Sequence, residues 1–188
     1  MSRQDKPHFD PLETERLILR PMLEDDAHQV VSWRNSKHVS SMSIVTSKQT
    51  VSIEEHLSWF KKTRNSRIDY IVELKEKKIA IGSVNLTICK LSNFGKCYEL
   101  GKYIGEQSAL GKGYAFEAAK RWVYYAFESL ATDCLISKTR SDNEANIKIN
   151  KRLGFSVDVF PEELGLLPDG FVFMRLTKEQ WEQSSIAN

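Results

Sequence analysis

The sequence predicts a single α+β domain, with a mixed and mostly antiparallel sheet of about seven strands flanked by helices. Three observations carry this reading. Ala115, Ala118, Ala119, Trp122, Val123, Ala126, Phe127 and Leu130 keep the 3.6-residue period of one helix face along a single long helix. Upstream, alternating runs at 68–74, 79–88 and 97–105 are separated by the charged turn Lys75-Glu76-Lys77-Lys78 and by Ser92-Asn93-Phe94-Gly95, the pattern of an antiparallel meander. The 188 residues hold no internal repeat, low-complexity segment or linker, which suits one substantial core and is cramped for two.

The other elements follow in order. Residues 1–11, with Pro7 and Pro11, read as a flexible tail, and residues 12–183 as the domain. Leu12 to Pro21 reads as one strand with Leu17 and Leu19 on its buried face. Glu24-Asp25-Asp26 place acids in a first helical turn, and Ala27, Val30 and Val31 give that helix its apolar side up to Trp33-Arg34-Asn35. Ser52-Ile53-Glu54-Glu55 has capping-box form and opens a helix with Ile53, Leu57 and Phe60 on one stripe. His56 and Trp59, three apart, share a neighbouring face. After the long helix come a strand at 134–140, a helix from Glu144 to Leu153 capped by Asp142 or Asn143 and stopped by Gly154, strands at 155–160 and 171–176, and a last helical turn at 178–183.

Composition narrows the function classes. A hydrophobic content of 41% and a charged content of 28% are ordinary for a soluble globular protein. A net charge of +2 is too small to argue for nucleic acid as the main partner, and none is expected. No apolar run approaches the ~20 residues that span a bilayer, and the first residues lack a signal-peptide core, so a cytoplasmic protein without a membrane partner is expected. Cys89, Cys97 and Cys134 are odd in number and lack C-x-x-C spacing, which indicates neither a disulfide framework nor a metal site.

The stretch that carries chemistry is the loop before the long helix. Gly111 and Gly113 let the backbone turn tightly and approach a ligand, and the helix that starts near Gly113 turns its free N–H groups and positive dipole end towards that loop. That is an anion site suited to phosphate. Neither G-x-x-x-x-G-K-[ST] nor G-x-G-x-x-G is present.

Leu110-Gly111-Lys112-Gly113-Tyr114-Ala115, followed by Glu117-Ala118, resembles the acetyl-CoA loop of the GNAT acetyltransferases, Q/R-x-x-G-x-G/A, with Leu110 in place of the usual Gln or Arg. Asn143 to Phe155 is similar to the family's N-x-x-S/A-x-x-x-Y-x-x-x-G-F segment, and the order of elements over 12–177 is the family's order. The resemblance implies an acetyl-CoA-dependent N-acetyltransferase acting on a small-molecule primary amine, as a monomer or homodimer, with acetyl-CoA as cosubstrate. Trp33-Arg34-Asn35 with His56-x-x-Trp59-Phe60 resembles the branch that acetylates nucleotide-linked amino-deoxy sugars, which makes that the favoured acceptor. Thr14 to Pro21 with Asp25-Asp26 resembles the ribosomal-protein branch, so a protein N-terminus is the alternative. A non-catalytic acyl-CoA-binding module is the third reading.

Roles follow from the same resemblance. Leu110, Gly111, Lys112, Gly113, Tyr114 and Ala115 would cradle the diphosphate. Tyr103, Ile104 and Gly105 would run beside the pantetheine arm, and the Ile104 amide would hold the thioester carbonyl. Asn143 would reach that arm, or simply cap its helix. Glu99 is the leading general base, since an alkyl amine of pKa ~10.4 is almost wholly protonated at neutral pH; a solvated strand residue is the bland alternative. His38 and His56 are further bases. Trp33, Arg34, Asn35, His56 and Trp59 form the acceptor set, or ordinary packing between two short helices. By the resemblance, Asn150 would lie against the coenzyme where the family has a tyrosine acid. An amide cannot return a proton to a thiolate, so water or a tyrosine such as Tyr103 would take over.

Overall fold

The computed structural model describes residues 10–42, 50–92 and 94–184. Strands β1 (Leu12–Glu13), β2 (Leu17–Pro21), β3 (Arg67–Leu74), β4 (Ile79–Lys90) and β5 (Lys96–Ile104) each pair antiparallel with the next. With β6 (Cys134–Arg140), β7 (Ser156–Val157) and β8 (Phe171–Thr177) they make one eight-stranded sheet in the order β1-β2-β3-β4-β5-β6-β8-β7. Helices α1 (Ala27–Asn35), α2 (Lys37–Ser40) and α3 (Ile53–Thr63) precede β3. α4 (Tyr114–Glu128) joins β5 to β6, α5 (Glu144–Arg152) follows β6, and α6 (Lys178–Glu182) follows β8.

The count is eight rather than seven because 12–21 is a hairpin. Thr14 N–H donates to the Leu17 carbonyl at 3.0 Å, and Leu17 N–H donates to Thr14 Oγ1 at 2.9 Å, which closes a turn between β1 and β2. At the other edge, the strand expected over 155–160 shrinks to Ser156–Val157, both exposed. The expected tail at 1–11 lies outside the described residues except for Asp10 and Pro11.

Two layers of helices cover the sheet. The periodic face of α4 buries Ala118, Ala119, Trp122, Val123, Ala126 and Phe127 against alternate residues of the strands, among them Leu19, Tyr70, Leu86 and Leu100. Trp122 is the centre of that layer, with its ring 4.6 Å from Tyr70 and 5.0 Å from Tyr125. On the opposite face Val30 and Trp33 of α1 and Phe60 of α3 pack on Ile71 of β3.

One irregularity positions everything that follows. β5 and β6 pair in parallel over only Cys97–Cys134, Tyr98–Leu135 and Glu99–Ile136. β5 then continues with β4 as far as the Gly82–Ile104 pair, while β6 continues with β8 to Arg140–Phe171. From Leu100 onward the sheet is split between its fifth and sixth strands.

Candidate active site

The loop at the head of α4 has the geometry its glycines require. Gly111 and Gly113 have φ of 72° and 81°, the left-handed region in which a side chain is strained. Gly113 is the N-cap and supplies no side-chain acceptor to the first turn of α4. A Cβ on Gly111 would meet nothing within 4 Å, so the space above the loop is open. Arg16 stands beside it. Its guanidinium lies 4.5 Å from the centre of the Tyr114 ring, and Nη1 donates to the Lys112 carbonyl at 3.1 Å. Glu117 anchors Arg16 by accepting from its Nε at 2.6 Å and from its backbone N–H at 2.9 Å, and takes the Thr14 hydroxyl at 2.6 Å. Leu110, Gly111, Lys112 and Gly113 are exposed, with Tyr114 and Ala115 half-buried.

The split edge of β5 supplies backbone groups. Gly105 N–H bonds the Ile81 carbonyl on β4 at 2.8 Å, whereas the Lys96 carbonyl accepts from Asp133 N–H at 2.8 Å on the β6 side. In an antiparallel ladder these directions alternate, so the N–H and C=O of Lys102 and Ile104 aim into the split. Gly105 does not share that opening, because its amide is engaged.

Side chains sort by parity on either side of the split. Tyr98, Leu100 and Ile104 enter the α4 layer, and Lys102 shares their face. Its Nζ donates to Asn150 Oδ1 at 2.5 Å. Asn150 is fully buried, and its Nδ2 donates to Ser137 Oγ at 3.1 Å and Met174 Sδ at 3.7 Å. Burial lowers the Lys102 ammonium to about 7. Asn143 caps α5, accepting from Asn146 N–H at 3.1 Å.

The opposite face is lined by the odd-numbered residues. Glu99 pairs with Lys138 of β6 at 2.8 Å. Gly101 makes room for Asn85, whose amide would lie 2.5 Å from a Cβ there. Asn85 is 7% exposed. Tyr103 turns its ring edge to Trp33 at 6.2 Å, and burial pushes its hydroxyl above the ordinary phenol range. Parity sets this ring on the face away from Asn150, so Tyr103 does not stand in for the missing tyrosine acid.

Beside Tyr103 three elements bring a cationic group together. The Trp59 ring has Arg34 of α1 at 5.4 Å and Arg67 of β3 at 5.0 Å from its centre. Arg67 is tied to Asp69 at 2.8 Å and to Thr87 Oγ1 at 3.0 Å, while Arg34 has no carboxylate partner among the described residues. His56 Nδ1 lies 3.5 Å from Arg34 Nη1. The imidazole is buried against Trp59 and Phe60, and burial, then Arg34 and Arg67, hold its pKa down. Burial raises the Asp69 carboxyl despite Arg67. Of the expected acceptor residues, Arg34, His56 and Trp59 thus meet. Trp33 and Asn35 brace instead. Trp33 is 3% exposed, donates from Nε1 to Glu106 Oε1 at 2.7 Å, and fills the space a Gly105 side chain would take. Asn35 exchanges two 2.9 Å bonds with the Val51 backbone. His38 lies on α2, its Nε2 buried and unpartnered among the described residues.

Sequence reasoning missed Arg16, Asn85, Arg67, Asp69 and Lys102. For Lys102 a signal existed: Tyr98, Leu100, Lys102 and Ile104 alternate, so a lysine stands in the inward register of a strand. Among the described residues no group of three or more His, Cys, Asp or Glu could hold a metal ion, and no helix is long and apolar enough to cross a membrane.

Comparison with known proteins agrees with this fold. The acetyltransferase (GNAT) domain family matches residues 16–156. The uncharacterized N-acetyltransferase p20 of Bacillus licheniformis is 27% identical over 182 residues, covering 91% of this chain and 98% of that protein. Mycobacterium smegmatis RimJ, solved in complex with CoA-disulfide, superposes with a TM-score of 0.78 at 16% identity, covering 96% of this chain and 93% of RimJ. FdhC, described as a nucleotide-linked sugar GNAT, superposes at 0.72 with 19% identity and 93% of each chain covered. At such identities the superpositions speak for the fold alone.

Proposed function

The chain belongs to the GNAT acetyltransferases, acetyl-CoA-dependent enzymes acting on an amine, and from that premise we propose that its acceptor is the primary amine of an anionic small molecule, with a nucleotide-linked amino sugar favoured. The carrying observation is Arg34: a guanidinium against Trp59, near a second guanidinium and an imidazole, without a carboxylate partner among the described residues. Such a group suits a phosphate or carboxylate, with Trp59 available to a base or sugar face. A polyamine would meet like charge there. The FdhC description is in keeping with this reading.

In this reading the diphosphate of acetyl-CoA rests on the N–H groups of Leu110 to Ala115 at the head of α4, with Arg16 and Lys112 adding positive charge. The pantetheine arm enters the split as an added strand on the backbone of Lys102 and Ile104, and the Ile104 N–H supports the thioester carbonyl. Asn143 borders the same side from α5. The amine comes from the other face, past Tyr103 and Asn85, to Glu99. That carboxylate takes the proton of the attacking amine, directly or through water, with Lys138 holding it in place.

The test is acetyl-CoA turnover followed by free thiol release. Nucleotide-linked amino sugars, spermidine and peptides with free N-termini would be offered at matched concentrations. The nucleotide sugars are expected to give the highest kcat/KM. Faster turnover of spermidine would overturn the anionic acceptor, and faster turnover of a peptide would move the assignment to a protein N-terminus.

A further inference from the structure

Aminolysis of a thioester to amide and free thiol moves two protons, one off the attacking amine and one onto the departing sulfur, and Glu99 accounts for only the first. When the C–N bond forms and the C–S bond breaks, the electron pair of the latter leaves with sulfur. The thiolate must then be protonated. On the face where the coenzyme is placed above, Asn150 is fully buried and its amide has no acidic proton to give. Tyr103 lies across the sheet.

Lys102 is the ionisable group that meets Asn150 on this face, with Nζ donating to Asn150 Oδ1 at 2.5 Å. It shares its strand face with Leu100 and Ile104, under α5, where the split begins. The residue keeps some contact with solvent, but its ammonium lies deep among protein atoms. The neighbours facing it are uncharged: Asn150 from α5 directly, then Ser137 of β6 and Met174 of β8, which fix the Asn150 amide so that its oxygen points at Nζ. No carboxylate on β4, β6, β8, α4 or α5 forms an ion pair with it among the described residues, and no charged group on any packed element alters its titration. A buried lysine without a counter-ion is costly to the fold, and such groups collect at functional sites.

We propose that Lys102 is the acid that protonates the departing coenzyme A thiolate. The assignment rests on acetyl-CoA being bound in the split as described above. The Nζ–H bond breaks, its proton forms the S–H bond, and the neutral amine is reprotonated from solvent through the open side of the split. Atoms and charge balance without a further reactant: acetyl-CoA and amine give amide and free thiol. Burial sets the ammonium near the operating pH, more acidic than the ~8.5 of an alkyl thiol, so the transfer runs downhill.

Coenzyme A itself is the probe, titrated against desulfo-CoA as the spectroscopic reference. Calorimetry gives its affinity, and thiolate difference absorbance gives the pKa of the bound thiol. In the wild type the Lys102 ammonium loses its proton through about pH 7, before the thiol titrates, so the bound thiol should keep a value near the free one of about 8.5. Lys102→Arg keeps a cation across that range but holds its proton, so it should lower the bound thiol by about one unit or more while lowering kcat ~10²-fold on the amine the wild type uses. Lys102→Met and Lys102→Gln should bind coenzyme A within a few-fold of the wild type and lose a similar share of kcat. Equal thiol pKa values in wild type and Lys102→Arg, with coenzyme A bound in both, would overturn the assignment. So would full turnover by Lys102→Arg. Failure of the wild type to bind coenzyme A would instead overturn the donor reading on which it rests.

Discussion

Arg16 and Glu117, 101 residues apart, meet at the head of α4, where Nε donates to Oε2 at 2.6 Å. The same carboxylate takes the Arg16 backbone N–H and the Thr14 hydroxyl, so one side chain fastens the β1–β2 hairpin to the N-terminal end of the helix. Glu117→Ala leaves three donors without their acceptor and should cost about 1–3 kcal/mol in urea unfolding. Glu117→Gln retains one acceptor oxygen and should cost less. Equal losses would show that charge, and not the hydrogen bonds, matters there.

Gly113→Asp should abolish acetyl-CoA binding, raising Kd at least ~100-fold, because a carboxylate would occupy the anion site. At φ of 81° the substitution also strains the backbone by roughly 1–2 kcal/mol, which a folded domain survives. Calorimetry for binding and circular dichroism for folding separate the two effects. Unchanged affinity in a folded variant would move the diphosphate elsewhere.

Arg34→Met should raise the acceptor KM ~10–100-fold, the range of a lost charge-assisted bond, and leave acetyl-CoA affinity as it was. Trp59 packs against both guanidiniums, so melting temperature needs to be followed in parallel. A variant that loses kcat at constant KM would place Arg34 outside the acceptor contact.

His56 bears on pH and stability. Burial and two arginines lower its folded pKa, so the fold prefers the neutral imidazole. The stability this contributes is present above the unfolded value of about 6.5 and is lost as pH falls through that value towards the lower folded one. Melting temperature should therefore decline below about pH 6.5 in the wild type and decline less in His56→Gln. Scanning calorimetry across that range decides it, since parallel declines would remove His56 as the cause.

Turnover should also carry an alkaline limb. The acid form of Lys102 is the ammonium, lost as pH rises through about 7. kcat should fall above that point, and in Lys102→Gln the remaining slow rate should lack the limb. A profile unchanged by the substitution would assign the limb to another group.

Much of this architecture was legible because periodicity reports directly on burial. The α4 stripe, the capping box at Ser52 and the β3–β5 meander are each local patterns, and each stands where the pattern put it. The glycine loop was legible for the same reason, since positive φ is a demand that only the backbone makes. Partners joined across the sheet were not. Arg67 and Asp69 read as the solvent side of a strand until α1 and α3 cover them, and Asn85 reads as a polar interruption until Gly101 is seen to vacate the space opposite. The hairpin at Thr14 was missed because its turn is closed by a threonine hydroxyl and not by glycine or proline. Lys102 was hidden by habit, as lysines in strands are ordinarily solvated.

The three-residue junction between β5 and β6 divides the sheet into two blocks, β1–β5 and β6–β8, coupled across that seam by little main-chain bonding. Amide protons bordering it should exchange with solvent sooner than those in either block. A ligand that binds only the folded state and bridges both lips would act as a rivet: exchange along Leu100 to Ile104 would slow, and the two blocks would melt as one at a higher temperature.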